Sequence, residues 1–143
     1  MTYFKMRKDW IYGIIFWFSV LSMWIAPIAC IVAFGILHPS IIIAIILIGF
    51  SIYLLRSWFD SSFIIDEQNI HIICGYMRKT VSIATIRKIE REKTMLSGDR
   101  YAFATKGLII HYDKFDDVYI TPDDNDRFIE ALLQIKSDIE IIK

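Results

Sequence analysis

The clustered acidic residues of the second half of the chain are the first candidates for chemistry, because grouped carboxylates can bind a divalent cation. They form two sets, Asp113, Asp116 and Asp117, and then Asp123, Asp124 and Asp126. Neither set has the spaced ligands and the central glycine of a calcium-binding loop, so a hairpin turn and a helix start explain them better. His38, His71 and His111 are scattered; the last two could meet across a sheet, but two histidines do not make a zinc site. The sequence therefore predicts no metal site and no cofactor.

Basic residues are the second candidates, and their chemistry would be binding. They occur as two pairs, Arg78 with Lys79 and Arg87 with Lys88. Such residues can contact anionic lipid headgroups or a protein partner. Glu90 and Glu92 are interleaved nearby and favour a solvated strand face that binds nothing. Ligand contact by these basic residues remains open as the alternative. No nucleophile motif of the G-x-S-x-G type and no phosphate-binding glycine loop occurs, and the sequence predicts a protein that is not an enzyme.

A long uncharged run determines how these residues are positioned. From Trp10 to Leu55 there is no Asp, Glu, Lys or Arg. A single helix of that length would measure roughly 70 Å, more than twice the ~30 Å hydrocarbon thickness of a bilayer, so the run must fold back. Gly35 to Ser40 (GILHPS) is the expected turn, between spans of about 11–34 and 41–58. Residues 1–59 are thus predicted to form a transmembrane hairpin.

The positive charges predict the orientation of this hairpin. Lys5, Arg7 and Lys8 precede the first span and Arg56 closes the second, whereas the turn has neither Lys nor Arg. The positive-inside rule then places both termini in the cytoplasm and makes the protein a multi-pass protein of the cell membrane. Removal of an N-terminal signal is the disfavoured alternative, because the apolar region is about twice as long as a usual signal region and lacks an A-x-A site.

Residues 60–143 have the pattern of a small soluble domain. Short β-type runs such as Ser62 to Ile65 and Ile70 to Cys74 alternate with turns, and a helical turn is expected at Ile86 to Ile89 before the next strand. The segment from Met95 to Thr105 reads as a loop or irregular edge. Thr121 is the expected capping residue of a C-terminal helix, with Pro122 at its first position and Phe128 on its buried stripe. The predicted fold class is α+β.

Charge and cysteine content limit the kinds of partner and compartment that this domain can have. Residues 60–143 are net acidic, whereas residues 1–59 are net basic. An acidic domain argues against nucleic-acid binding. The two cysteines, Cys30 and Cys74, cannot form a disulfide framework and suit a reducing cytoplasm.

The domain resembles the bacterial pleckstrin-homology-like (PH-like) domains over about residues 62–137. The similarity is carried by the stretch with Gly75, Lys79, Ile86, Ile89 and Glu90, and by the ending with Ile120, Thr121, Pro122, Asp124 and Phe128. The YyaB-like group, which has two membrane helices and one such domain, is similar in architecture. The resemblance implies an antiparallel sheet or open barrel capped by one C-terminal helix, with Gly75, Thr121, Pro122 and Phe128 as fold determinants. It also implies kinship with proteins for bacteriocin self-immunity, including the sublancin type.

The predicted function is that of a non-catalytic, membrane-anchored PH-like binding or scaffold protein. Its expected partners are the lipid bilayer and a membrane protein or peptide, and homo-oligomerisation is left open. Bacteriocin self-immunity is the particular role that the resemblance suggests. The alternative is a membrane-tethered sensor of anionic lipid headgroups, with Arg78, Lys79, Arg87 and Lys88 as the candidate lipid or partner contacts.

Overall fold

The computed structural model describes residues 1–36, 39–96 and 98–143. Two long helices, α1 (Trp10–Phe34) and α2 (Ser40–Phe59), pack against each other near the start of the chain. Both are long and apolar enough to cross a membrane. Most of their large apolar side chains, among them Phe18, are exposed, and an apolar surface of this size is typical of contact with a membrane or with another protein. Of the predicted turn, Leu37 and His38 lie outside the described residues.

The first sheet contains a strand that the sequence analysis missed. Its order is β1 (Thr2–Lys5), β2 (Ser61–Ile65), β3 (Asn69–Cys74) and β4 (Met77–Ser82), with every pair antiparallel. The N-terminal residues therefore join the β-domain before the chain enters α1. Phe4 of β1 lies opposite Phe63 of β2, and both side chains are buried. A strand of four residues carries too little pattern to be recognised when its partner is distant in sequence.

The second sheet follows a short 3₁₀ turn at Ile83–Thr85. Its strands are β5 (Ile86–Lys93), β6 (Asp99–Tyr101), β7 (Gly107–Tyr112), β8 (Asp116–Ile120) and β9 (Glu140–Ile142), in the order β6-β8-β7-β5-β9. The prediction of a helical turn at Ile86 to Ile89 is wrong, because these residues pair with β7 and the turn precedes them. The β5–β9 and β6–β8 pairs are parallel. The two sheets stay open and do not close into a barrel.

The C-terminal helix α3 (Asn125–Ile135) begins later than predicted. Asp124, not Thr121, is its N-cap, because the Asp124 carboxylate accepts hydrogen bonds from the backbone N–H groups of Asp126 and Arg127 at 3.0 and 3.1 Å. Thr121 and Pro122 are instead held in extended backbone by the N-terminal segment: the Thr121 carbonyl accepts a hydrogen bond from the Arg7 N–H at 2.7 Å. Pairing with a distant strand thus outweighs the local helix-start signal.

Phe128 of α3 anchors the helix to the core. Its ring is fully buried and lies edge-on to Phe4 and Phe63, with centroids 5.1 and 6.3 Å away. The core is made of the inner faces of both sheets and the apolar stripe of α3. The α+β class, with an apolar helical hairpin, open sheets and one covering C-terminal helix, is confirmed.

Candidate functional site

Trp58 joins the helices to the β-domain. Its indole stacks on Phe16 of α1 with centroids 4.4 Å apart, and it contacts Phe103 of the loop before β7 at 5.1 Å. The Lys8 ammonium lies 5.0 Å from the centroid of the same ring, within the range of a cation–π interaction. Trp58 is buried although it stands at the end of an apolar helix. The domain is therefore packed onto the helix ends rather than suspended from a linker.

Polar contacts reinforce this junction at the start of α1. The Asp9 carboxylate accepts hydrogen bonds from the Thr105 N–H and hydroxyl at 2.7 and 2.8 Å. Burial opposes the charge of Asp9, but the Thr105 hydrogen bonds outweigh it and lower the pKa of the carboxyl. The Arg100 guanidinium donates to the Tyr12 hydroxyl at 2.5 Å. The loop residue Thr105 is thus hydrogen-bonded to the N-cap residue of α1, and Arg100 of the strand before the loop to the first turn of α1.

The turn between β3 and β4 forms the third contact with the helices. The Gly75 N–H donates to the Asp60 carbonyl at 2.7 Å, and Gly75 has a positive φ of 61°. A Cβ at this position would lie 2.8 Å from backbone atoms of Ser57, so only glycine fits without a shift. The next residue, Tyr76, stacks on Tyr53 of α2 with centroids 5.8 Å apart. The turn therefore lies alongside the last turns of α2.

The structure separates the two residues of the first predicted basic pair. Lys79 points to the inner face, where it forms an ion pair with Asp99 and lies 5.4 Å from the Tyr112 ring centroid. Burial disfavours its charge, but the hydrogen bonds to Asp99 and Tyr112 dominate and raise the pKa of the ammonium. Arg78 lies on the opposite face, is exposed and forms no ion pair with any described residue. Only Arg78 of this pair is free to bind a partner.

The second predicted pair lies in a different place and is partly neutralised. Arg87 donates to the Lys114 carbonyl at 2.8 Å, and Lys88 forms an ion pair with Glu90 at 2.9 Å. Hydrogen bonds from Lys93 and Lys88 lower the pKa of Glu90 to about 2. Arg87 and Lys88 line one cleft, whereas Arg78 lines another. The four predicted residues therefore do not form one patch.

The two histidines of the domain, which the sequence allowed to meet across a sheet, lie apart. His71 of β3 contacts the Thr80 hydroxyl at 3.2 Å, whereas His111 of β7 lies between Asp117 and Glu90, with Glu90 at 3.1 Å. They belong to different sheets, which the sequence could not distinguish. Within residues 1–36, 39–96 and 98–143, no group of three or more His, Cys, Asp or Glu side chains is arranged to hold a metal ion.

Three cations that the sequence analysis did not join into one binding site lie where the domain meets the helices. Arg56 near the end of α2 and Arg78 of β4 line the same cleft of about 250 Å³. Lys5 of β1 lies on the same outer face of the first sheet, in the row Lys5, Ser62, Ile73, Arg78 that runs across the strands in register. We call Lys5, Arg56 and Arg78 the basic rim. No local sequence signal groups them, because they come from three separate segments.

These features define a class of protein: a β-domain with open sheets and a covering C-terminal helix, packed onto a pair of apolar helices. The family model described as "Bacterial PH domain" matches residues 61–136, more than half of the chain. The chain belongs to the bacterial PH domain family. No curated protein and no solved structure matches it significantly. PH-like domains are in general non-enzymatic binding modules, so the match favours a binding or scaffold role.

Proposed function

We propose that the protein is a non-catalytic binding scaffold of the cell membrane, anchored by α1 and α2 with both termini in the cytoplasm. The packing of Trp58 between Phe16 and Phe103 is the observation that carries this proposal. Because the domain is fixed to the helix ends, crossing of the membrane by α1 and α2 would hold it at the membrane surface. A binding module in that position reaches membrane proteins, membrane-active peptides and lipid headgroups.

The particular role proposed is bacteriocin self-immunity, in which the protein occupies a site on a membrane-directed peptide or on its target. Support comes from the two-helix architecture, which resembles that of the YyaB-like group. The apolar spans contain no acidic or basic residue from Trp10 to Leu55, so they offer nothing for ion transport. Such a protein would act through the surface that it presents and through its location.

Sensing of anionic headgroups is the second candidate function. It is favoured by the basic rim, in which neither Lys5 nor Arg78 forms an ion pair with any residue in the described part of the chain. Lipid sensing and protein binding place different demands on the domain. A lipid sensor needs cations near the bilayer, whereas a scaffold needs the fixed domain orientation.

Protection of a sensitive bacterium tests the immunity role. We would express the full chain and measure growth inhibition by several membrane-active bacteriocins, with Trp58→Ala as the variant that loosens the junction. Trp24→Ala is the matched control, because Trp24 is exposed on the outer surface of α1. Protection by the parent chain and by the control, but not by Trp58→Ala at equal protein level, is expected. Unchanged sensitivity to every bacteriocin with the parent chain would refute the immunity role.

Capture of the partner tests the scaffold role more broadly. A photo-crosslinking residue placed at Phe115, which is 87% exposed on the turn between β7 and β8, reports on contacts made away from the helices. One placed at Tyr76 reports on contacts made beside α2. We expect a discrete protein adduct at one of these positions in native membranes. Adducts with lipid alone at both positions would contradict the scaffold role and favour the lipid sensor.

A further inference from the structure

The basic rim lies at the end of the first sheet that is closest to the helices. β2 begins at Ser61, two residues after α2 ends at Phe59, and β3 ends where Gly75 contacts Ser57. The in-register row from Lys5 to Arg78 is therefore the row of the outer face beside α2. Adjacent strands are about 4.8 Å apart, so the backbone of Lys5 lies about 14 Å from that of Arg78.

Arg56 and Arg78 give their shared cleft a net positive charge. Arg56 forms an i,i+4 ion pair with Asp60 at 3.4 Å, and both side chains remain about half exposed. Asp60 is the acidic residue among those that line the cleft, so its negative charge offsets the positive charge of one of the two arginines. Exposed pairs of this kind are weak and can exchange partners. The remaining charge matches a single anionic group.

The tip of the turn between β3 and β4 has the chemistry of a membrane interface. Tyr76 and Met77 are 58% and 49% exposed. Tyr76 stacks on Tyr53, which precedes the end of α2 by six residues, or about 9 Å along the helix. The Arg56 guanidinium lies 4.6 Å from the centroid of the Tyr76 ring. Tyrosine rings with a neighbouring arginine are typical of the headgroup level of a bilayer.

We propose that the basic rim binds the phosphate of an anionic phospholipid in the cytoplasmic leaflet, with Arg56 and Arg78 as the two direct contacts. This inference rests on the proposed anchoring of α1 and α2 in the membrane. A guanidinium donates two parallel hydrogen bonds to phosphate oxygens, and two guanidiniums that line one cleft can hold a phosphodiester from two sides. Lys5 adds positive potential along the same row, and Tyr76 with Met77 contacts the acyl-chain boundary.

The position of this site differs from that of the basic pairs in the sequence. Arg87 and Lys88 line a separate cleft with His111 and Glu140, and Lys79 forms an ion pair with Asp99. A headgroup site at the rim would therefore depend on Arg56, which lies in α2 itself. The lipid would then connect the hairpin to the first sheet, so that anionic lipid tightens the junction between them.

Mass spectrometry of the intact full-length chain tests this site directly. The protein is purified in mild detergent and mixed with equal amounts of phosphatidylglycerol and phosphatidylcholine, and the bound lipids are counted. Each basic residue near an anionic surface accounts for roughly a fivefold change in binding, so Arg56→Gln with Arg78→Gln should lower phosphatidylglycerol binding about thirtyfold. Phosphatidylcholine has the same phosphodiester but no net charge, so its binding should fall less and the preference for phosphatidylglycerol should be lost. Added inorganic phosphate should compete only weakly.

Two further double variants make the result specific. Lys114→Gln with Arg127→Gln removes the same charge from exposed positions away from the rim and should bind phosphatidylglycerol as the parent does. Arg87→Gln with Lys88→Gln tests the other cleft. The proposal is overturned if the parent chain shows no preference for phosphatidylglycerol, if the rim variant keeps that preference, or if loss of binding follows the Arg87 and Lys88 changes instead.

Failure of the site can be separated from failure of the anchoring. Membranes containing the parent chain or the rim variant are washed with alkaline carbonate, which releases proteins that do not span the bilayer. Retention of both proteins, together with loss of lipid preference in the rim variant, supports the proposal. Release of both would refute the anchoring, and with it the placement of the rim at the bilayer.

Discussion

Replacement of Phe4 by alanine should destabilise the PH domain, although Phe4 precedes the whole helical hairpin. Its side chain is 3% exposed and lies edge-on to Phe128 at 5.1 Å. Its backbone pairs with Phe63 in β2. Phe→Ala in a core costs about 3–5 kcal/mol, and the truncation also removes an aromatic pair of the kind usually worth about 0.5–1.5 kcal/mol. We therefore expect a loss of at least about 3 kcal/mol in the free energy of unfolding.

The buried thiol of Cys74 provides the assay for this loss. Cys74 lies at the end of β3 in the domain core, and burial raises the pKa of its thiol, so the folded domain protects it from alkylation. The full chain, with Cys30 replaced by alanine, is titrated with urea in mild detergent and exposed briefly to a thiol reagent. With an m-value of about 1–3 kcal/mol/M, the labelling midpoint of Phe4→Ala should fall by at least about 1 M.

Tyr3→Ala is the matched control for this experiment. Tyr3 neighbours Phe4 in β1, but its side chain lies on the outer face and is 58% exposed. Its replacement should change the free energy of unfolding by no more than about 0.5 kcal/mol and so leave the labelling midpoint close to that of the parent chain. Equal midpoints for Phe4→Ala and the parent chain would refute the assignment of β1 to the domain core. A fragment of residues 60–143 lacks β1 and should therefore be less stable than the domain in the full chain.

Three further changes test other parts of the account. Gly75→Ala should cost about 2 kcal/mol or more, because φ is positive and the new Cβ meets the backbone of Ser57; wild-type Cys74 protection in this variant would contradict that packing. Asp124→Ala should cost about 1 kcal/mol and speed amide exchange in the first turn of α3, whereas Thr121→Ala should leave that turn protected; the reverse result would restore the predicted cap. Glu90→Gln removes a carboxylate whose pKa in the folded protein, about 2, lies below its usual 4.5. The ionised carboxylate therefore stabilises the folded state above about pH 5, and this stabilisation is lost as the pH falls toward 2. That variant should be about 1 kcal/mol less stable at pH 7 and show a shallower acid-induced loss in this window; an unchanged pH profile would argue against the ion pairs of Glu90.

Local patterns in the sequence predicted the helical elements of the fold. The uncharged run from Trp10 to Leu55 determines the hairpin through composition alone, and the apolar stripe around Phe128 determines that a C-terminal helix packs on the core. The exact start of that helix was not predictable. The capping signal at Thr121 was genuine as a local preference, but the backbone of Arg7 competes for the same residue.

Non-local pairing explains what the sequence could not show. β1 gains its stability from β2, which lies on the far side of the hairpin, so nothing near Thr2–Lys5 marks it as a strand. The candidate site could not be predicted for the same reason, because it depends on contacts between distant segments. Arg78 was predicted as a candidate lipid or partner contact, but its association with Arg56 and Lys5 depends on how three distant segments meet. Sequence proximity instead grouped it with Lys79, which faces the interior.

Cysteine accessibility in intact cells tests the central proposal, that the PH domain lies on the cytoplasmic side of a membrane crossed by α1 and α2. A cysteine at Ile36, exposed beside the hairpin turn, and one at Phe115, exposed on the turn between β7 and β8, are treated with a membrane-impermeant maleimide. The parent chain, with Cys30 in α1 and Cys74 buried in the domain, gives the background. We expect labelling at position 36 in intact cells and labelling at position 115 only after the membrane is permeabilised. Labelling at position 115 in intact cells would contradict this proposal.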